Sequence, residues 1–252
     1  MPAFLDAPPP IAIAHRGGAA AAPENSLAAF AHAVELGYRY AETDVHVTAD
    51  GVLVAFHDHT LERVTDGSGV VANLPWSQVR EARIGGREPI PRFAEILTTW
   101  PDLRLVVDPK ADGAVEPLIA ELQRLDAVDR VCVGSFAQDR LNRVRAALGP
   151  RLCTSAGPPE VRRIRLASWG LLPRSAVGAG PDCLQVPLRR GPVPLADRRL
   201  VDLAHGHGLP VHVWTVDRPA EMRRLLDLGV DGIVTDDVAA LRGVLVERGA
   251  WR

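Results

Sequence analysis

Eight short apolar runs rich in β-forming residues, each followed by a segment of helical periodicity, fill the 252 residues from end to end. The runs are 11–14, 38–45, 103–107, 131–134, 151–154, 183–186, 211–215 and 232–234. The helical segments are 26–36, 92–99, 115–125, 138–148, 160–168, 196–207, 220–228 and 238–247. Eight strand–helix units in about 250 residues are what a (β/α)8 barrel requires, so the expected class is α/β, a TIM barrel. A doubly wound open sheet is the alternative, but its Gly-x-Gly-x-x-Gly turn is missing after the first run. The rhythm breaks once, after the second strand. There Asp50-Gly51 turns the chain into an alternating stretch, 52–56, that reads as an added antiparallel strand. From about 57 to 90 the pattern is loop-like, with a short helix at 76–82, and a small insertion at the catalytic end of the barrel is expected. No linker rich in Pro, Gly or Ser divides the chain, so 1–252 is expected to be a single domain.

Composition narrows the function classes. A net charge of -2 with 24% charged residues gives no electrostatic case for a nucleic-acid partner. No apolar run reaches the ~20 residues that cross a bilayer, so stable membrane insertion is not expected. The first ten residues hold four prolines and an acid rather than a basic end and an apolar stretch, so no secretion leader is read there. Three cysteines, Cys132, Cys153 and Cys183, are too few for a disulfide framework and read as small buried hydrophobes, which points to a cytoplasmic location. Of 29 basic residues only Lys110 is a lysine, which raises the question of what an ammonium does there that a guanidinium cannot.

In such a barrel the strand tips converge on one mouth. The first tip carries His15-Arg16-Gly17-Gly18, the second Glu42-Thr43-Asp44, and the added hairpin ends in His57-Asp58. The third carries Asp108-Pro109-Lys110, the fourth Ser135-Phe136, the sixth Gln185 and the seventh Trp214. Glu42 and Asp44, two apart on a strand, point to one face. Crowded with Asp108 they need a cation between them, and an all-oxygen set suits a hard divalent ion. His15 and His57 are candidates for general acid and base. Arg16 offers a planar fork for phosphate or carboxylate oxygens, and Lys110 a compact positive charge. Trp214 suits either the core or a wall facing the ligand. Together these residues describe a site for an anionic ester, most naturally a phosphate.

His15-Arg16-Gly17, Pro23-Glu24-Asn25-Ser26, Glu42-Thr43-Asp44-Val45, Asp50-Gly51 and His57-Asp58 follow one another as in the glycerophosphodiester phosphodiesterase family. Ser135-Phe136, Val213-Trp214-Thr215-Val216 and the run from Gly229 to Asp236 resemble its later signatures. The resemblance implies a TIM barrel that uses one divalent cation, Mg²⁺ or Ca²⁺ with Mn²⁺ a further option. The activity it implies is hydrolysis of small-molecule glycerophosphodiesters to glycerol 3-phosphate and an alcohol. His15 and His57 would then be the acid–base pair, Glu42 and Asp44 metal ligands, and Arg16 and Lys110 phosphate ligands. Asp108 stands where the family usually has Glu, one methylene shorter. Choline, ethanolamine, glycerol and inositol all remain open as the leaving alcohol. Two other readings compete. A related phospholipase D-like or inositol-phospholipid phosphodiesterase is disfavoured by the 5% aromatic content. A non-catalytic phosphate-ester binding barrel is disfavoured by the presence of both histidines and all three acids.

Overall fold

The structure is a computed structural model that describes residues 2–251; Met1 and Arg252, the ends of the expected 1–252 domain, lie outside the described residues. Its barrel strands are β1 (Ile11–Ala14), β2 (Tyr40–Val47), β3 (Arg104–Pro109), β4 (Val131–Val133), β5 (Cys153–Thr154), β6 (Leu184–Pro187), β7 (Val211–Trp214) and β8 (Gly232–Thr235). The helices after them are α1 (Leu27–Glu35), α2 (Phe93–Thr99), α3 (Val115–Arg124), α4 (Gln138–Leu148), α5 (Pro158–Ser168), α6 (Arg198–His205), α7 (Pro219–Leu228) and α8 (Val238–Glu247). Each strand pairs in parallel with its neighbours in sequence, and β1 also pairs with β8. The remaining seam, between β5 and β6, is closed by a parallel bridge from Ser155 to Cys183, with Ala156 N donating to Cys183 O at 2.9 Å. This is the TIM barrel, with its helices packed outside the sheet.

Observed strand limits differ from the expected ones in ways that matter at the mouth. The second strand runs over Tyr40–Val47 rather than 38–45, because Tyr38 leaves the sheet to donate its hydroxyl to Val238 O and to pack edge-on to Trp251. The shift of two preserves parity, so Glu42 and Asp44 still share a face. The third strand extends to Pro109, and its register pairs Asp44 with Asp108. The fifth helix starts earlier than expected, at Pro158, since proline has no N–H to lose in a first helical turn.

Inside the barrel, Ile11, Ile13, Tyr40, Val106, Val234 and the three cysteines form a core stoppered by Phe4 and Leu5. The Phe4 carbonyl accepts the Tyr40 hydroxyl at 2.9 Å. The stretch expected to be loop-like after β2 is organised about a satellite core of Val54, Phe56, Leu61, Val71, Val79, Ala82, Ile84 and Ile90. Its first strand, Leu53–Ala55, runs antiparallel to β2, and it also holds a short helix, Trp76–Val79. Phe56 N donates to Asp44 O at 2.9 Å, which fixes the next residue, His57, beside the tip of β2.

Candidate active site

The turn after β1 shapes one side of the mouth. Arg16 takes a left-handed φ of 50°, and Gly17 and Gly18 follow at 82° and 99°. A side chain on Gly18 would come within 2.8 Å of Val238 Cγ1, so the bend admits only glycine there. The strained conformation at Arg16, a kind that collects at functional sites, aims its backbone N–H at Glu42 Oε2, 3.0 Å away. Its guanidinium meets Glu24 Oε1 at 2.8 Å and lies 3.4 Å from Asp44 Oδ2.

The two histidines are each oriented by a carboxylate. His15 Nδ1 lies 2.8 Å from Asp236 Oδ1 at the end of β8, which leaves Nε2 3.8 Å from Glu42 Oε2. Burial works against the His15 imidazolium, but the Asp236 hydrogen bond and the charges of Glu42 and Asp236 outweigh it, so its pKa is raised above the ordinary value. His57 Nδ1 lies 2.5 Å from Asp58 Oδ1. Asp58 is gripped by Arg63, whose hydrogen bonds hold its pKa down at about 2, and Arg63 reaches on to Glu24 Oε1 at 2.6 Å. A ladder Arg16–Glu24–Arg63–Asp58–His57 therefore ties the insertion to the first strand tip. His46 Nε2 contacts the His57 carbonyl at 3.2 Å and supports the same backbone.

Lys110 answers the question its solitary lysine raised. Its ammonium sits between Asp44 Oδ1 at 2.7 Å and Asp108 Oδ2 at 2.8 Å, a gap suited to a compact point charge rather than a planar fork. Burial pushes the Asp44 pKa up, but the charge and hydrogen bond of Lys110 more than reverse this and leave it lowered. Glu42 lacks such a partner, and burial together with the Asp44 charge pushes it up to about 7. Burial raises Asp108 as well. Asn25, buried and left-handed at φ 57°, donates to Asp44 Oδ2 at 3.3 Å and accepts from Thr43 at 2.8 Å.

Six carboxylates, Glu24, Glu42, Asp44, Asp58, Asp108 and Asp236, thus share three permanent cations, Arg16, Arg63 and Lys110. That excess of negative charge at a half-buried mouth and the all-oxygen donors fit a hard divalent cation. Among the described residues, the oxygens of Glu42, Asp44 and Asp108 do not form a set lying wholly within 4.8 Å of one another, and the Lys110 ammonium bonds the last two. At the tip of β7 Trp214 packs partly on the barrel core and meets Phe136 edge-on, with ring centroids 5.9 Å apart. Phe136 is 69% exposed.

Sequence reasoning missed Asp236, Asn25, Glu24 and Arg63 as parts of this network. Asp236 was open to the same strand-tip argument applied to β8. Glu24 and Asn25 stood in the Pro23-Glu24-Asn25-Ser26 motif without an assigned role, and in the structure Ser26 caps α1 by accepting from Ala29 N.

A closed barrel with imidazoles, carboxylates and cations gathered at its C-terminal mouth defines a TIM-barrel protein with acid–base groups where such barrels carry their chemistry. Within that class the chain belongs to the glycerophosphoryl diester phosphodiesterase family, whose profile matches residues 15–240. It is 41% identical to "Probable glycerophosphodiester phosphodiesterase 2" of Mycobacterium tuberculosis, over 96% of this chain and 92% of that protein. It is 30% identical to the glycerophosphodiester phosphodiesterase of Caldanaerobacter subterraneus subsp. tengcongensis, over 95% of this chain and 98% of the relative. A solved structure from Silicibacter pomeroyi, provisionally given the glycerophosphoryl diester phosphodiesterase name, superposes with a TM-score of 0.84 at 27% identity and covers 100% of both chains.

Proposed function

We propose that this chain hydrolyses small-molecule glycerophosphodiesters to glycerol 3-phosphate and an alcohol, with His15 and His57 as its acid–base pair. The observation that carries this reading is the meeting of His15, Glu42, Asp44, His57 and Lys110 within one network of hydrogen bonds and ion pairs at the strand tips. Family membership supports the same reaction class.

Against the effect of burial, the Asp236 hydrogen bond and the charges of Glu42 and Asp236 raise the His15 pKa and so favour its protonated form, which supports a role as the acid that protonates the departing alkoxide. Asp236 occupies Nδ1, so the transferable proton is the one on Nε2. His57, with Nδ1 turned to Asp58, has Nε2 free to accept the proton of the attacking hydroxyl. The glycerol hydroxyl next to the ester is a nucleophile already in place, and its attack forms one P–O bond as the alcohol's P–O bond breaks. Water then opens the resulting cyclic phosphate with the two histidines exchanging roles. Arg16 and Lys110 hold phosphoryl oxygens against the developing charge, while Trp214 walls the substrate. Glu42, Asp44 and Asp108 would hold a divalent cation, Mg²⁺, Ca²⁺ or Mn²⁺. When bound, it supplies Lewis-acid polarisation of the phosphoryl group.

Residues 1–252 act as one catalytic domain in this reading. No helix among the described residues is long and apolar enough to cross a membrane. Three free buried thiols support a cytoplasmic location.

The test is turnover of glycerophosphodiesters by His15→Ala and His57→Ala chains. Each loses on the order of 10²–10⁴ in kcat with an unchanged circular dichroism spectrum. Near-normal turnover by either variant rejects the assignment.

A further inference from the structure

All three cysteines of the chain meet inside the barrel. Cys132 lies on β4, Cys153 on β5, and Cys183 immediately before β6. Their sulfurs all fall within 4.8 Å of one another, and Cys132 Sγ is 3.9 Å from Cys183 Sγ across 51 positions of sequence. Each is fully buried, among Ile13, Val106 and Val234. Packing alone explains small apolar side chains here, but not three sulfurs turned toward one point. Valine serves the same core elsewhere, and the chain spends every cysteine it has on this spot.

We propose that Cys132, Cys153 and Cys183 form a binding site for one soft, monovalent d¹⁰ cation of the Cu(I) class, held in trigonal coordination. Three features support this. A metal–thiolate bond of about 2.3 Å puts the sulfurs of a planar three-coordinate site about 4.0 Å apart, which matches the 3.9 Å between Cys132 and Cys183 and falls within the 4.8 Å that bounds all three. Thiolates select soft ions over hard ones, so the site does not compete for the divalent cation of the mouth. Among the described residues no fourth histidine, cysteine or carboxylate joins the three within the same reach, so zinc's tetrahedron stays incomplete while a trigonal ion is satisfied.

The experiment is an anaerobic titration of the reduced full chain with Cu(I), followed by a competing Cu(I) chelator. Native mass spectrometry counts the ions retained, and copper X-ray absorption identifies the atoms bonded to them. The expected result is one ion per chain in an all-sulfur environment. Cys153→Val should lose that ion to the competitor while keeping the wild-type circular dichroism spectrum. If Cys153→Val does not fold, Cys132→Ala and the absorption spectrum of the wild-type chain decide. A wild-type chain that surrenders all its copper, copper bonded to nitrogen or oxygen, or a folded variant that retains the ion as wild type does, each overturns the proposal.

Discussion

Lys110→Met keeps the length of the side chain and removes its charge. In the native site the ammonium serves Asp44 at 2.7 Å and Asp108 at 2.8 Å, and the lysine side chain is only 17% exposed. Taking one partner out of a fully buried ion pair costs about 3–5 kcal/mol. Partial exposure of Lys110 and the remaining support of Asp44 by Asn25 and Arg16 reduce this to about 2–3 kcal/mol. For a chain of this size that lowers Tm by about 5–10 °C. The pH dependence follows from the sign of the shift. In the native chain Asp44 is held below its ordinary value, so its stabilisation is present above a pH of about 4 and is lost as the pH falls through the lower folded value. Without Lys110, burial dominates and both carboxylates move up, so the variant loses stability as pH rises. The gap between the two proteins is therefore widest at neutral and alkaline pH, narrows as the pH falls, and closes only below a pH of about 4, where native Asp44 itself takes up a proton. Thermal unfolding in chelator, followed by circular dichroism across that range, measures it. Lys110→Arg keeps the charge without the fit and falls between the two. A Lys110→Met chain whose Tm follows wild type at every pH refutes this role for the lysine.

Further outcomes follow from the same geometry. Because Glu42 is raised to about 7, a proton competes with the divalent ion below that pH. Calorimetric affinity for Mg²⁺ or Mn²⁺ should weaken up to about tenfold per unit below pH 7 and level off above it, and a flat profile contradicts Glu42 as a ligand. Asp58→Asn should lower kcat about 10–100-fold through the loss of His57 orientation, by analogy with outer-shell partners. Its Tm should move little, since the Arg63 partner is half exposed; unchanged turnover removes the tether from the account. Asp236→Asn should lower the His15 pKa measured by NMR and shift the alkaline limb of the rate profile to lower pH, and an unmoved titration contradicts the pairing.

Much of the barrel was legible because strand and helix periods differ, and each unit announces its own change of period. The shared face of Glu42 and Asp44 survived a two-residue error in the strand limits, since a period-two argument depends on parity and not on ends. The tip residues His15, Arg16, His57 and Lys110 were legible because the fold dictates where strand ends go. What stayed hidden depends on closure. Asp236 is 221 positions from His15, and only the pairing of β1 with β8 brings them together. Arg63 belongs to a segment whose own core carries no regular period, so its reach to Glu24 and Asp58 has no local signature. Lys110 was expected on phosphate, and the structure also gives it two carboxylates to hold apart. The convergence of the cysteines arises from neighbouring barrel strands and has no trace in their spacing.

The most direct measurement is the release of glycerol 3-phosphate by the purified chain from glycerophosphodiesters of choline, ethanolamine, glycerol and inositol, with divalent cation present, removed and restored. Product should appear from at least one of these esters, stop on chelation, and return with Mg²⁺, Ca²⁺ or Mn²⁺. A folded chain that releases none from any of the four, or one whose turnover ignores the chelator, contradicts the site described at the barrel mouth.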